Sequence, residues 1–514
     1  MHRRFFFILT SVFFFTGTSQ AQSLTDATRL AQEPLGTGAR AISMGGAAIA
    51  NANDFSALDW NPAALTLMDF GEINLSLFIK GHNSTASFYR ISSDESLTNT
   101  DLASFGFASP VLTTRGHLAY GISYDRVQDF NSAYSFSAVN STSSFLDTKG
   151  FVKNEGNRFG LSTADFQSFL DANNLAWALF LTHNADSAHP NLSTPFGKGG
   201  LQQSGTVTEE GGMNALRFGA GIDVAENLAL GAAVNVFFGR YDSRRVYNEK
   251  DVNNIFTAPA DTLSPDNFQS AQIIDIRQQS QAGFSLKLGL LASPNEHFRF
   301  GFTFETPEIF SVEDRFQRTG SSVFRNGNTH SSTDELTNPD VAALNAITVN
   351  NYTVTTPMKF GAGVSFNLSG LTLSGAADFS DQSQLRFSNA DVDLSDLNDS
   401  ARKNLKAVLN WKVGAEYVIK PIGLILRGGY GLDPSPYKDN PSSFGTKNLS
   451  AGIGVLLSKS SIAEITYRRT SYRTDHVLYN DMSVSTPKPI SVSAVVNADD
   501  VVQNQVLLSF SFRF

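Results

Sequence analysis

Over much of its length this chain alternates, residue by residue, between large apolar side chains and small or charged ones. Beyond residue 21 no apolar run approaches the roughly 18–20 residues that a membrane-spanning helix requires. In HFRFGFTFET, Phe298, Phe300, Phe302 and Phe304 share one face of a strand, and Arg299, Gly301, Thr303 and Glu305 share the other. ALRFGAGIDV (Ala215–Val224) and LAYGISYDRV (Leu118–Val127) repeat the scheme, and AVLNWKVGAEYVI sets Leu409, Trp411, Val413, Ala415 and Tyr417 against Asn410, Lys412, Gly414 and Glu416. Such strands have two ways to satisfy the apolar face: against a second sheet in water, or against lipid in a closed barrel. The barrel is the only strand architecture that leaves no backbone group unpaired in hydrocarbon.

The start of the chain favours the membrane. Arg3 and Arg4 precede an apolar run from Phe5 to about Thr16, followed by the small-x-small site Ser19-Gln20-Ala21, which reads as a signal peptide over residues 1–21. An N-terminal anchor is the other reading, but the run is too short to cross a bilayer. Without cysteine, neither a disulfide framework nor thiolate metal ligation is available. Charged residues are 17% against about 25% in an average soluble protein, while phenylalanine alone numbers 42. The net charge of −9 grows more negative once Arg3 and Arg4 leave, which argues against a nucleic-acid partner. These features predict an all-β, transmembrane antiparallel barrel in a bacterial outer membrane.

The last ten residues, QVLLSFSFRF, place Val506, Leu508, Phe510, Phe512 and Phe514 on one face. With an aromatic residue at its end, this strand resembles the C-terminal signal read by the outer-membrane assembly machinery, with Phe510, Phe512 and Phe514 as its signal positions. Outer-membrane lipid and lipopolysaccharide are the surroundings this implies.

Two stretches break the alternation. Between Val139 and Gly212 the sequence is polar and rich in Gly and Ser, with an amphipathic helix predicted after Ser162 that sets Phe166, Phe169 and Leu170 on one face. Asp314–Val349 is polar, with no visible chemistry. Both read as long external loops (about 140–211 and 314–350), and the helix is equally compatible with a ligand-facing and a merely solvated role. The acidic NADVDLSDLND (Asn389–Asp399) lacks the glycine of a calcium-binding EF-hand loop and reads as a solvated loop.

Before the first clear strand, predicted at Glu72–Lys80, lies GTGARAISMGGAAIANANDFSALDWNPAAL (Gly36–Leu65), rich in Gly and Ala and without alternation. Such a segment packs compactly, either inside the barrel or as a periplasmic tail. It resembles the N-terminal plug of the outer-membrane long-chain fatty-acid transporter (FadL) family, whose Asn-Pro-Ala hallmark falls on Asn61, Pro62 and Ala63. TPMKFGAGVSF (Thr356–Phe366), LRGGYGLDPSP (Leu426–Pro436) and LSAGIGVLLSKSSIAEITYRRTSYR (Leu449–Arg473) resemble its late strands in the same order, whereas residues from about 130 to 350 match by strand pattern alone. The resemblance implies a barrel of about fourteen strands. Residues 22–70 would plug its lumen and 71–514 would form the wall, for passive uptake of long-chain fatty acids or other hydrophobic small molecules. The outer-membrane shuttle of type IX protein secretion has a similar opening and is the alternative.

Asn61 is the expected plug anchor, because its amide both donates and accepts, with Pro62 as the rigid turn beside it. Arg40 is the expected partner of a lumenal carboxylate. These roles in gating compete with a purely structural one in folding the plug. Arg217, Lys287, Arg299 and Lys412 face the lumen and are candidates for meeting a ligand carboxylate. The eight histidines are scattered and neither GxSxG nor HExxH occurs, so no catalytic, cofactor or metal residues are assigned.

Overall fold

The computed structural model describes residues 24–148, 151, 174–184, 192–257, 267–333, 346–390, 393–479 and 494–514. The signal-peptide reading and the helix predicted after Ser162 lie outside these residues. The described residues form a closed antiparallel barrel of fourteen strands. They are β1 (Glu72–Phe88), β2 (Ile91–Val111), β3 (Leu118–Asp129, resuming at Ser132–Asn140), β4 (Leu201–Ala225), β5 (Leu228–Lys250), β6 (Phe268–Ala292) and β7 (Phe298–Glu305, resuming at Ile309–Phe324). The circuit continues through β8 (Thr348–Thr355, resuming at Lys359–Leu368), β9 (Leu371–Asp381, resuming at Arg386–Ser388), β10 (Ala407–Ile419), β11 (Leu424–Asp433), β12 (Thr446–Ser458), β13 (Ser461–Tyr479) and β14 (Ala494–Arg513). Closure is made by β1 and β14, in register from Glu72 opposite Arg513 to Thr85 opposite Asp500. On the lumenal side of that seam, Asn74 donates to the hydroxyls of Ser509 (2.9 Å) and Ser511 (2.8 Å).

Lipid and lumen sort the side chains as the alternation predicts. Ile73, Leu75, Leu77 and Ile79 of β1 are exposed on the outer wall, while Asn74, Ser76 and Lys80 between them are buried inside. Phe298, Phe300 and Phe302 of β7, Leu409, Trp411, Val413 and Tyr417 of β10, and Leu508, Phe510, Phe512 and Phe514 at the C-terminus also face outward. No helix among the described residues is long and apolar enough to span a membrane. Short turns close one end of the barrel and long connections the other, the arrangement that places the short turns at the periplasm. The protein is an outer-membrane barrel.

Several strands are longer than the alternation suggested. β1 continues to Phe88, β4 already begins at Leu201, and β7 persists to Phe324, so the loops expected at about 140–211 and 314–350 are shorter than read. These extensions stand above the apolar band with water outside them. Their outer residues are therefore polar, and the period-two contrast disappears from the sequence although the ladder continues. The acidic stretch read as a loop enters a helix, Ser395–Asn404, whose Asn398 side chain bonds the backbone N–H and C=O of Phe387 (2.8 and 3.1 Å).

The lumen is filled in three storeys, all visible along β5. Near its periplasmic end Gly231 lies against the N-terminal segment; Phe237 and Tyr241 belong to a packed apolar middle cluster; Tyr247 joins an outer cluster with Phe145, Phe196, Phe268 and Tyr479. That outer cluster roofs the barrel with parts of the β3–β4 connection, among them the short helix Leu175–Ala178.

Candidate functional site

The lowest storey is the plug. The chain enters the barrel with α1 (Leu24–Leu30), then makes α2 (Ala39–Ser43), α3 (Ala57–Trp60) and a 3-10 turn at Pro62–Leu67 before β1. Its elements are too short to be stable alone, so they hold their shape by packing against the wall. The wall admits them because the lumenal positions opposite are glycines. A Cβ on Gly231 would lie 2.2 Å from the Ala63 nitrogen, one on Gly289 2.1 Å from Asn61 Oδ1, and one on Gly414 2.3 Å from the Met44 carbonyl. Gly221 and Gly231 face each other in register across β4 and β5, and Gly231 and Gly289 across β5 and β6. The plug backbone therefore rests directly on the barrel backbone over several strands.

Asn61 occupies the place predicted for an anchor. Its Nδ2 donates to the carbonyls of Ile49 within the plug (2.8 Å) and Leu290 of β6 (3.1 Å), while Oδ1 accepts from the Ala63 amide at 3.1 Å. Pro62 opens the 3-10 turn, where its fixed φ suits the first position, and its carbonyl meets Gly221. Ala63 is fully buried against β5. Arg40 finds its carboxylate: Nε and Nη2 form a two-pronged pair with Glu416 of β10, both at 2.9 Å, while Nη1 donates to the Asn51 carbonyl. Glu416 also takes Arg427 Nε at 2.6 Å, and Arg427 continues to Glu464. Burial works against the Arg40 charge, but the Glu416 contact outweighs it and holds the guanidinium above its ordinary pKa.

The four lumenal cations split. Arg217 bridges Asp59 of α3 (2.8 Å) and Asp125 of β3; Lys287 donates to the Asp59 carbonyl (2.6 Å) and pairs with Glu305; Lys412 joins Glu33 of the plug to Asp378 of β9. Three of the four thus clamp the N-terminal segment, whereas Arg299 makes no ion pair among the described residues. Burial pushes the Glu33 carboxyl up, yet Lys412 outweighs this and holds it below the ordinary carboxylate value. Glu33, Asp59, Lys287, Glu305, Lys359 and Lys412 line a cavity of about 50 Å³. Such a space takes a few waters and no lipid chain.

Above this charged floor the chemistry reverses. Phe130, Phe237, Phe310, Val312, Tyr352 and Phe387 belong to one buried apolar cluster, and α1 lies among them through Ala27 and Leu30, with Ala31 just beyond its end. The polar side of α1 turns to β5 and β6: Asp26 meets Arg277 (2.9 Å), and Arg29 donates to Gln279 (2.5 Å) and stacks 3.4 Å over the Tyr241 ring. Beside this cluster β3 is interrupted at Phe130 and Asn131, opposite Gly211 of β4, where φ is +107° and a Cβ would meet the Arg240 carbonyl at 2.1 Å. Only glycine fits that wall position.

The apolar cluster and α1 were not identified from the sequence. The cluster's wall residues named above are spread over five strands, and Leu24–Leu30 is too short to show a helical period. The recurrence of glycine on lumenal positions was the one signal available for the plug seat.

A closed outer-membrane barrel with a plug seated on its wall and a packed apolar cluster above it is the class this fold defines. Among solved structures, a Pseudomonas aeruginosa FadL homologue matches over 93% of this chain and 98% of its own, at 13% identity and a TM-score of 0.56. The P. putida toluene transporter TodX matches over 93% and 99%, at 12% identity and a TM-score of 0.53. A family model described as BamG matches residues 197–421. No curated protein matches the sequence. The fold is that of the FadL-type barrels.

Proposed function

We propose that this protein is a passive outer-membrane channel for hydrophobic small molecules, with long-chain fatty acids as its leading cargo. The observation that carries the reading is the reversal of polarity along the lumen. An apolar cluster of Phe130, Phe237, Phe310 and Tyr352, packed around α1, lies above a floor cross-linked by Arg40–Glu416, Arg217–Asp59 and Lys412–Glu33. An apolar molecule gains by taking the place of α1 in this cluster, and its passage through the charged floor would cost several kcal/mol of broken ion pairs. The favourable exit is therefore sideways, at the interrupted stretch of β3 whose Phe130 belongs to the apolar cluster. Opening requires that cargo bind the open arrangement better than the closed one.

The test is uptake by cells producing the protein in their outer membrane, with labelled oleate, labelled toluene and a labelled disaccharide. Faster entry of oleate and toluene without the disaccharide supports the channel. Equal entry of the disaccharide would refute it in favour of a polar pore, and a protein cargo that co-purifies in place of any lipid would support the secretion shuttle.

A further inference from the structure

The geometry points to a lipopolysaccharide-binding site on the outer wall of β12–β14, where Lys447, Arg469 and Asn504 receive a phosphate of the lipid A head group and the apolar wall beneath receives its acyl chains. The site faces lipid, so it is separate from the lumen and from whatever passes through it. Successive residues of β13 divide the two sides. Arg468 points inward, donating to the Leu35 carbonyl of the N-terminal segment and to Gln505 (2.7 Å), while Arg469 points outward with Ile465 and Tyr467. In register with Arg469 are Leu449 of β12 and Asn504 of β14, and Lys447 is the next outward residue of β12, opposite Ser471. Lys447 and Arg469 are thus diagonal neighbours about 7–8 Å apart, a span that one phosphate bridges between two long side chains. Arg469 is the ninth residue of β13 counted from its periplasmic end, and Asn504 the tenth from the C-terminal end of β14. A barrel strand crosses the hydrocarbon in about 9–11 residues, so both stand where the head groups of the outer leaflet begin. Leu449, Ile453, Ile465 and Leu508 are exposed on the wall at and below that level.

Two further observations mark these groups as free for an anion. Lys447 and Arg469 are exposed, and neither makes an ion pair or a side-chain hydrogen bond among the described residues. Other outward arginines are matched by carboxylates: Arg240 by Asp242 (2.5 Å), Arg315 by Glu313 (2.8 Å) and Arg473 by Asp500. The Tyr467 hydroxyl donates to Asn504 Oδ1 (2.7 Å), which occupies the acceptor end of that amide and leaves its Nδ2 as a donor. Beside it the wall is recessed, because Gly81 of β1 is in register with Asn504 and a Cβ there would meet nothing nearer than 3.9 Å. Two unmatched cations and an amide donor select an anion, and guanidinium suits phosphate in particular. The apolar wall beneath selects an anion that carries acyl chains. With −9 over the whole chain, the attraction is local to this face and not a property of the molecule at large.

The experiment is lipid binding by the full chain, washed free of lipopolysaccharide in detergent and followed by native mass spectrometry. Bisphosphorylated lipid A, dephosphorylated lipid A or phosphatidylglycerol is titrated in. Three proteins are compared: the unaltered chain, Lys447→Gln with Arg469→Gln, and, as a control of equal charge change, Arg240→Gln with Arg315→Gln. Heat-modifiable gel mobility shows that each barrel is folded. Each cation near an anionic lipid surface contributes about fivefold in affinity, so bisphosphorylated lipid A should bind the Lys447→Gln, Arg469→Gln protein about thirtyfold more weakly than the unaltered chain. The control should bind it as the unaltered chain does, and dephosphorylated lipid A should not distinguish the three proteins. Unchanged affinity in the folded Lys447→Gln, Arg469→Gln protein, or an equal loss in the control, overturns the site. Equal weakening of dephosphorylated lipid A would show that the two side chains act by packing and overturns the phosphate contact. Phosphatidylglycerol bound as tightly as lipid A overturns the assignment to lipopolysaccharide.

Discussion

Gly289→Ala is the sharpest probe of how the plug is held. The added methyl would sit 2.1 Å from Asn61 Oδ1, where ordinary contact begins at 3.4 Å, so something must move by about 1.3 Å. The Asn61 side chain cannot swing away freely, because it is tied to Ala63, Ile49 and Leu290 by three hydrogen bonds. Overpacking of this kind costs about 1–3 kcal/mol and each lost bond about 0.5–1.5 kcal/mol, so losing all three charges the seat with about 2.5–7.5 kcal/mol. The barrel ladder does not depend on Asn61, so strand content and heat-modifiable mobility should stay as in the unaltered protein. What should change is the plug: higher single-channel conductance in planar bilayers and faster hydrogen exchange over residues 39–67. Gly81→Ala is the control, since its Cβ would meet nothing closer than the Asn504 carbonyl at 3.9 Å. If Gly289→Ala keeps the unaltered conductance and exchange, the plug does not rest on the wall in the way the glycine positions imply.

Glu416→Gln leaves Arg40 and Arg427 facing each other without their shared charge, a loss of about 3–5 kcal/mol for a buried pair, and conductance should rise as it does for Gly289→Ala. Because the Glu33 carboxyl is held below its ordinary value, its stabilising contact with Lys412 is fully present above about pH 4.3 and lost as pH falls through the lowered folded value. Leak conductance should therefore be flat from neutral pH down to about pH 4.3 and rise only below it, and Glu33→Gln should abolish the part of that rise due to this contact. The assembly reading of the terminal strand predicts that Phe514→Ala lowers the yield of outer-membrane barrel several-fold. Phe514 also stacks near Phe107 (6.2 Å) and packs over Gly71, so Phe107→Ala, which removes the contact but not the terminal aromatic, should leave yield unaffected if recognition is the cause. A yield lowered equally by both would show that the role is packing.

The residues that proved easiest to read are those whose environment repeats. Phe298, Phe300 and Phe302 each face lipid, and Leu409, Trp411 and Val413 do the same three strands later, so one rule of period two was enough to place them. Arg40, Asn61 and Pro62 were placed in the plug by a short local motif, and Arg40 was matched with a carboxylate. Nothing local could name that carboxylate as Glu416, which lies 376 residues away and is brought to Arg40 by closure of the barrel. The lumenal cations show the same division. Lys287 and Lys412 were correctly set inside, yet whether they would meet a ligand or the plug depended on Asp59 and Glu33, residues whose positions the alternation does not address.

The sequence by itself determined the barrel, its orientation of apolar residues and the presence of a compact N-terminal segment, because each follows from chemistry repeated along neighbouring residues. The tertiary structure alone decided what fills the lumen. The glycine seat, the charged floor, the apolar cluster and the Asp26–Arg277 contact each join residues from distant parts of the chain, and only closure of the ring sets which side chains meet across its interior.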